Sequence, residues 1–164
     1  MNEMRVRLEA REPRSGEIRA LWFSLPVNDD ELEEKLGIDS ADGCFIVDKE
    51  LPFADEVMED TSIQKLNEMA YQYEALPADI REDYGELMCY FTSLDELFRL
   101  KNDIIHYADC RNMTAVARKI LSQNPAYASL PESAVRYFDL EAYGQYLDDN
   151  GRFVETDHGI YELP

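Results

Sequence analysis

A chain of 164 residues with 35 acidic and 16 basic side chains carries a net charge of −19 and a pI near 4.3. That balance repels nucleic acid and anionic membrane surfaces, which argues against direct binding to either and makes the natural partner basic. With 45% hydrophobic and 11% aromatic residues the chain can build a folded interior, and no apolar run approaches the ~20 residues of a membrane span.

The first residues, MNEMRVRLEARE, lack the apolar centre of a signal peptide. Three cysteines, an odd number without framework spacing, fit a reducing compartment, and together these features predict a cytoplasmic protein. Residues 4–10 alternate, Met4, Val6, Leu8 and Ala10 on one face against Arg5, Arg7 and Glu9 on the other, which predicts a half-buried strand. Pro13-Arg14-Ser15-Gly16 reads as a turn, and residues 17–25 as a second strand, with Ile18 and Trp22 opposite Leu21, Phe23 and Leu25. The two pair as a hairpin. Asn28 has an N-cap side chain, Glu31 follows at the third helical position and Gly37 closes the last turn, so 29–36 reads as a short helix. Cys44–Asp48 is a third strand, and 50–60 a loop.

A helical section comes next. Thr61 with Gln64 suggests a capping box ahead of Ile63, Leu66, Met69, Tyr73 and Leu76 at helical spacing. Pro77 opens a second helix through about Tyr90, and Ser93 with Glu96 caps a third. Residues 103–108 read as a strand. Residues 112–123 read as a helix with Met113, Val116, Ala117, Ile120 and Leu121 inward. Pro131 starts a short helix, Asp139 caps another that stops at Asn150-Gly151, and RFVETDHGIYEL is a hairpin around Asp157-His158-Gly159. The fold class is α+β in three parts: a β-rich acidic section (1–60), a helical section (61–103) and a mixed α/β section (104–164), with net charges of −10, −5 and −4.

Charge is concentrated in one stretch. Residues 28–60 hold thirteen acids, Asp29, Asp30, Glu31, Glu33, Glu34, Asp39, Asp42, Asp48, Glu50, Asp55, Glu56, Glu59 and Asp60, against Lys35 and Lys49, a net −11. A solvated face kept acidic for solubility is one reading, and the first-turn acids Asp29, Asp30 and Glu31 also suit a helix dipole. The spacing of the acids through a helix, a turn, a strand and a loop instead points to a displayed field, because self-repulsion of this size costs stability. Tyr137, Phe138, Tyr143 and Tyr146 form an aromatic group belonging either to the core or to a dimer face, and ordinary burial favours the core.

Catalytic and metal chemistry finds no support. His106 and Cys110 are four apart but sit on a strand-to-loop segment, and the other histidine, His158, is a turn residue. Cys110 reads as a buried structural thiol rather than a nucleophile. Calcium loops centred on Gly151 and Gly43 would need acids where Tyr146 and Ile38 stand. No phosphate loop, dinucleotide fingerprint or nucleophile elbow occurs, and adjacent acids such as Glu33-Glu34 arise by chance in so acidic a chain. No metal or cofactor is expected, and no enzyme activity.

Three passages carry a family likeness: KELPFADEVMEDTSIQKLNEM (49–69), YFTSLDELFRLKNDIIHYADCRNMTAVAR (90–118) and YFDLEAYGQYLDDNGRFVETDHGIYEL (137–163). With them the chain resembles ArdA-type antirestriction proteins, particularly the branch carried by conjugative transposons. It departs from that pattern at Ala20, where glycine is expected, and at Arg111-Asn112, where relatives tend to be acidic. The resemblance implies an elongated protein of three small subdomains that forms a homodimer and imitates the phosphate track of DNA. It implies occupation of the DNA-binding groove of type I restriction–modification enzymes, protecting incoming mobile DNA, with the thirteen acids as contact surface. The alternative is an acidic adaptor for another basic DNA-binding protein.

Overall fold

A computed structural model describes residues 3–164 as a mixed α+β protein. The chain divides into two compact units, one reaching to Arg99 and the other running from Leu100 to Pro164.

The first unit is built on a three-stranded antiparallel sheet in the order β2-β1-β3, formed by β1 (Arg5–Ala10), β2 (Ala20–Ser24) and β3 (Cys44–Glu50). The period-2 pattern of β1 works as written: Met4, Val6, Leu8 and Ala10 are buried, while Arg7 is exposed. Its outward row meets acids across the sheet, with Arg5 opposite Glu50 and Arg7 opposite Asp48. The Arg5 guanidinium also lies 4.7 Å from the Trp22 ring centroid, so Trp22 covers a cation on the solvent side of the sheet.

Between β1 and β3 the register shifts: Arg7 pairs with Asp48 but Leu8 with Ile46, leaving Val47 as the extra residue of a bulge. The bulge breaks the alternation, and Val47 and Asp48 both face solvent. Strand β3 also runs two residues further than its composition predicts, because Lys49 and Glu50 pair with Val6 and Arg5.

Helix α1 (Asp29–Leu36) forms where its caps place it. The Asn28 side chain accepts a hydrogen bond from the Glu31 N–H, and Gly37 closes the helix at φ 67°. Only Leu32 and Leu36 turn inward. In α2 (Ile63–Glu74) the cap is Ser62, whose hydroxyl accepts from the Lys65 N–H, and not Thr61. Thr61 instead accepts from the Met58 N–H and closes the preceding loop. Ile63, Leu66, Met69 and Ala70 supply the buried stripe. Asn67 bonds both the N–H and the carbonyl of Val27, at 2.7 and 2.9 Å, clamping α2 to the segment that leads into α1.

The single helix expected from Pro77 to Tyr90 is broken into α3 (Ala78–Glu82), α4 (Tyr84–Leu87) and a 3-10 turn, Met88–Tyr90. The break falls at Asp83, a buried carboxylate whose backbone leaves the helical region. Helix α5 (Leu94–Leu100) begins after the Ser93 cap, with the Glu96 carboxylate reaching back to the Thr92 N–H and hydroxyl.

In the second unit a sheet of order β4-β6-β5 is formed by β4 (Ile105–Tyr107), β5 (Arg152–Thr156) and β6 (Gly159–Leu163). The β5–β6 hairpin turns where Asp157 and His158 place it. Gly159, at φ 118°, is obligatory, because a Cβ there would lie 2.4 Å from the Tyr107 carbonyl oxygen. Helices α6 (Met113–Ser122), α7 (Pro125–Ala128), α8 (Glu132–Arg136) and α9 (Leu140–Asn150) complete the unit. The short helix α7, with Asn124 as its cap and Pro125 in its first turn, is not anticipated by the periodicity. Tyr107, Cys110, Val116 and Ile160 form one cluster of the core, with Met113, Ala115, Ile120 and Phe153 against it.

Helix α9 packs on α6 through Gly144, where a Cβ would stand 2.8 Å from the backbone carbonyl of Met113. A mid-helix glycine costs about 1 kcal/mol relative to alanine, so only this close approach accounts for it. Gly144→Ala should therefore destabilise the protein by about 1–3 kcal/mol despite its better helix propensity. Gly85→Ala, with open space around its position, should not. Urea unfolding of the two variants checks the contrast.

Candidate functional site

None of the thirteen acids between Asp29 and Asp60 is buried: eleven are exposed, and Glu33 and Glu56 are half-buried. Asp29, Asp30, Glu31, Glu33 and Glu34 project from α1, whose inward face holds only leucines. Asp39 and Asp42 flank the Ser40 cap of a 3-10 turn, Ala41–Gly43. Asp48 and Glu50 lie on β3.

The stretch from Leu51 to Asp60 is irregular but anchored. Phe53 and Val57 are buried, the Ile46 N–H bonds the Glu59 carbonyl at 2.9 Å, and the Lys49 ammonium bonds the Val57 carbonyl. Asp55, Glu59 and Asp60 are thus displayed from a loop pinned at both edges.

The acids separate by what they touch. Glu50 makes a two-point contact with Arg5, at 2.6 and 3.0 Å, and that hydrogen bond holds its carboxyl below the usual range. The depressed value means its contribution to stability is complete above the ordinary carboxylate pKa and is lost as pH falls through the folded-state value. Glu31 pairs with Lys35 at 2.6 Å one turn on, and Asp39 with Arg14 at 3.5 Å. Glu56 turns inward. Its carboxylate accepts the Leu94 N–H at 3.0 and 3.2 Å, satisfying a free donor at the start of α5.

The remaining nine acids, Asp29, Asp30, Glu33, Glu34, Asp42, Asp48, Asp55, Glu59 and Asp60, have no ion pair among the described residues. Their field reaches Cys44. Burial pushes its thiol up to about 11, with Asp42 and Asp29 adding to the shift and Arg11 opposing it.

The display extends beyond the stretch that composition marks. Glu68 and Glu74 on α2 and Glu86 on α4 are exposed and form no ion pair among the described residues. Glu68 stands on the face of α2 opposite its apolar stripe, a signal that helical phase carries and a count of local charge does not. The unit ending at Arg99 holds 25 acids and 10 bases, a net −15, leaving −4 for the unit from Leu100. In that second unit Asp109 pairs with Lys119 at 2.8 Å, and the Arg111 guanidinium bonds the Asp157 backbone carbonyl.

The aromatic group is not in the core. Tyr137 is 83% exposed, Tyr146 58% and Phe138 37%. The rings form a surface row: Tyr127 meets Phe138 edge-on at 5.5 Å, Phe138 meets Tyr143 at 6.1 Å, and Tyr143 stacks on Tyr146 at 6.2 Å. The core position is taken by Gly144, whose close contact with α6 leaves Tyr143 and Tyr146 beside the seam instead of under it.

His106 and Cys110 serve different structures. The His106 ring stacks on Tyr161 at 4.0 Å and bonds the His158 carbonyl, whereas Cys110 lies in the core, where burial raises its pKa. Among the described residues no group of three His, Cys, Asp or Glu side chains is arranged to hold a metal.

Fold and surface together define a small acidic α+β protein whose carboxylates are held outward on folded backbone. A family model described as antirestriction protein (ArdA) matches residues 14–162, and the chain belongs to that family. It is an antirestriction protein, and restriction–modification enzymes are the partners that this family implies. A search of curated proteins finds no match.

Because Glu56 caps a helix and Glu34 does not, the two should respond differently to removal. Glu56→Ala should cost about 1 kcal/mol of stability, the usual size of a lost helix-end hydrogen bond. Glu34→Gln should leave stability unchanged or slightly raised by relief of repulsion. Thermal unfolding of both variants at low salt separates an acid that builds the fold from one that is displayed.

Proposed function

We propose that this antirestriction protein is a DNA mimic: a non-catalytic inhibitor that occupies the DNA-binding groove of type I restriction–modification enzymes in the cytoplasm and protects incoming mobile DNA. The observation that carries the reading is the set of nine unpaired acids held on a helix, a turn, a strand and an anchored loop. A groove built for duplex DNA expects one negative charge per ~1.7 Å of axis. Carboxylates fixed on folded backbone meet it without the ordering entropy that a floppy acidic tail would lose. The acids paired to Arg5, Arg14 and Lys35 contribute less, since their charge is offset locally.

The protein acts as a homodimer in this proposal, with the exposed row of Tyr137, Phe138, Tyr143 and Tyr146 as the dimer face. Aromatic rings on the less charged unit suit such a face, because desolvating them gains free energy and little like charge is brought together. Two chains at −19 each carry −38, which at the charge density of DNA corresponds to about 65 Å of helix.

Phosphate-like contacts are many, weak and additive, each worth ~0–1 kcal/mol. Glu34→Gln alone should barely change inhibition of DNA cleavage by a purified type I enzyme. Neutralising Asp29, Asp30, Glu31, Glu33 and Glu34 together should weaken it by about thirtyfold, roughly 2 kcal/mol, and flatten its dependence on salt. A single substitution that abolished inhibition with the circular dichroism intact would defeat mimicry. Unimpaired restriction alongside tight binding to some other basic protein would favour the adaptor reading.

For the dimer, light scattering at micromolar concentration should give twice 19.0 kDa for the native chain. Tyr137→Ser with Tyr146→Ser, both exposed and outside the core, should give the single-chain mass without loss of folded structure. A native chain that scatters at 19.0 kDa would rule the dimer out.

A further inference from the structure

Two lysines stand among the thirteen acids of residues 28–60, and the fold uses them differently. Lys35 pairs with Glu31 and offsets its charge. Lys49 forms no ion pair among the described residues, although Asp48 and Glu50 flank it in the chain. Its ammonium donates instead to the backbone carbonyl of Val57. Glu50 is taken by Arg5, and the Asp48 carboxylate accepts the backbone N–H of Lys49 at 2.8 Å.

Strand register explains the choice. Lys49 lies opposite Val6 in the β1–β3 ladder, and residues directly opposite share a face. Val6 is fully buried, so Lys49 leaves β3 on the inward side of the sheet and is half-buried, while Asp48 is exposed. A lysine so placed runs its hydrocarbon stem along apolar surface and needs an acceptor for its ammonium. The acceptor it meets is the backbone of the loop whose Phe53 and Val57 side chains are buried. Asp55 and Glu56 lie inside the span that this bond closes, and Glu59 and Asp60 follow it within three residues. Because the bond engages a carbonyl and no carboxylate, the loop is held without any displayed acid being paired. A cation set within a run of acids also eases their mutual repulsion.

We infer that Lys49 is a positioning residue for the inhibitory surface: it holds the loop so that Asp55, Glu59 and Asp60 meet a basic groove together. The inference rests on the mimicry reading, and it predicts the opposite of what charge alone predicts. Removing a cation from a chain of −19 makes it more acidic, so a field without geometry would bind a basic groove as well or better. With the loop released, the same change weakens binding, because the acids must be ordered again on contact.

Three full-length variants test it in cleavage assays with a purified type I enzyme across a salt series. Lys49→Met keeps the stem and removes the donor, Lys49→Arg keeps a charged donor, and Asp55→Asn with Glu59→Gln and Asp60→Asn removes the loop's charge. Lys49→Met should inhibit about fivefold more weakly than the native chain and with a flatter salt dependence, and Lys49→Arg should restore most of both. The amides of Val57 and Met58 donate to the Ala54 carbonyl and the Thr61 hydroxyl. In Lys49→Met they should exchange at least about tenfold faster, while those of α1 keep native protection. Lys49→Gln, polar but uncharged, serves the same purpose where the apolar variant does not fold. A lysine that served stability alone would lower the melting temperature and leave the salt dependence of the folded protein unchanged, which would overturn the role. So would native or stronger inhibition by Lys49→Met beside a weakened triple variant, an outcome that leaves mimicry standing. Undiminished inhibition by the triple variant would remove the loop from the contact surface, and with it both the role of Lys49 and the mimicry assigned to those acids.

Discussion

Twenty-five acids and ten bases share the unit that ends at Arg99, and their mutual repulsion must be held by a core drawn from short elements. The solution is economical in apolar surface. Strand β1 contributes Met4, Val6, Leu8 and Ala10, α1 only Leu32 and Leu36, and the loop before α2 only Phe53 and Val57, all buried. Each element spends alternate or every third or fourth residue inward and leaves the rest of its surface to carboxylates.

Repulsion also explains how the bases are placed. Arg5 and Lys35 each lie against one acid and over one aromatic ring, Arg5 on Glu50 and Trp22, Lys35 on Glu31 and near Phe23. These cations relieve the most crowded points of the sheet and of α1. They leave Asp29, Asp30, Glu33 and Glu34 on the same helix without an ion pair among the described residues. Solvation and dipole account for part of that pattern, since three acids occupy the first turn of α1. Neither accounts for acids pinned on an irregular loop at Asp55, Glu59 and Asp60. Under the proposed mimicry those positions are the informative ones: a solubility tail needs no anchoring, whereas a surface read by a rigid partner does.

The second unit follows a different balance. It carries −4, pairs Asp109 with Lys119, and exposes a row of aromatic rings where the first unit exposes carboxylates. The arrangement turns on Gly144. Because a bare backbone lets α9 approach α6 closely, the tyrosines on either side of that glycine are displaced toward solvent.

Local signals were sufficient wherever the determining atoms are close in sequence. Asn28 and Gly37 define α1, Asn112 caps α6, Asp139 caps α9, and the alternation of β1 and the turn at Asp157-His158 specify their strands without outside help. Net charge and the thirteen acids were equally legible, and none of those acids needed to be buried for the fold to close. What distance in sequence hides was decided by tertiary structure. Glu56 looked like one more surface acid, but α5, 38 residues away, made it a cap. The helix expected after Pro77 breaks at Asp83, whose burial no local pattern announces. The aromatic group read as core because large rings usually are, and the contact that excludes it is between two backbones, invisible to any count of apolar side chains.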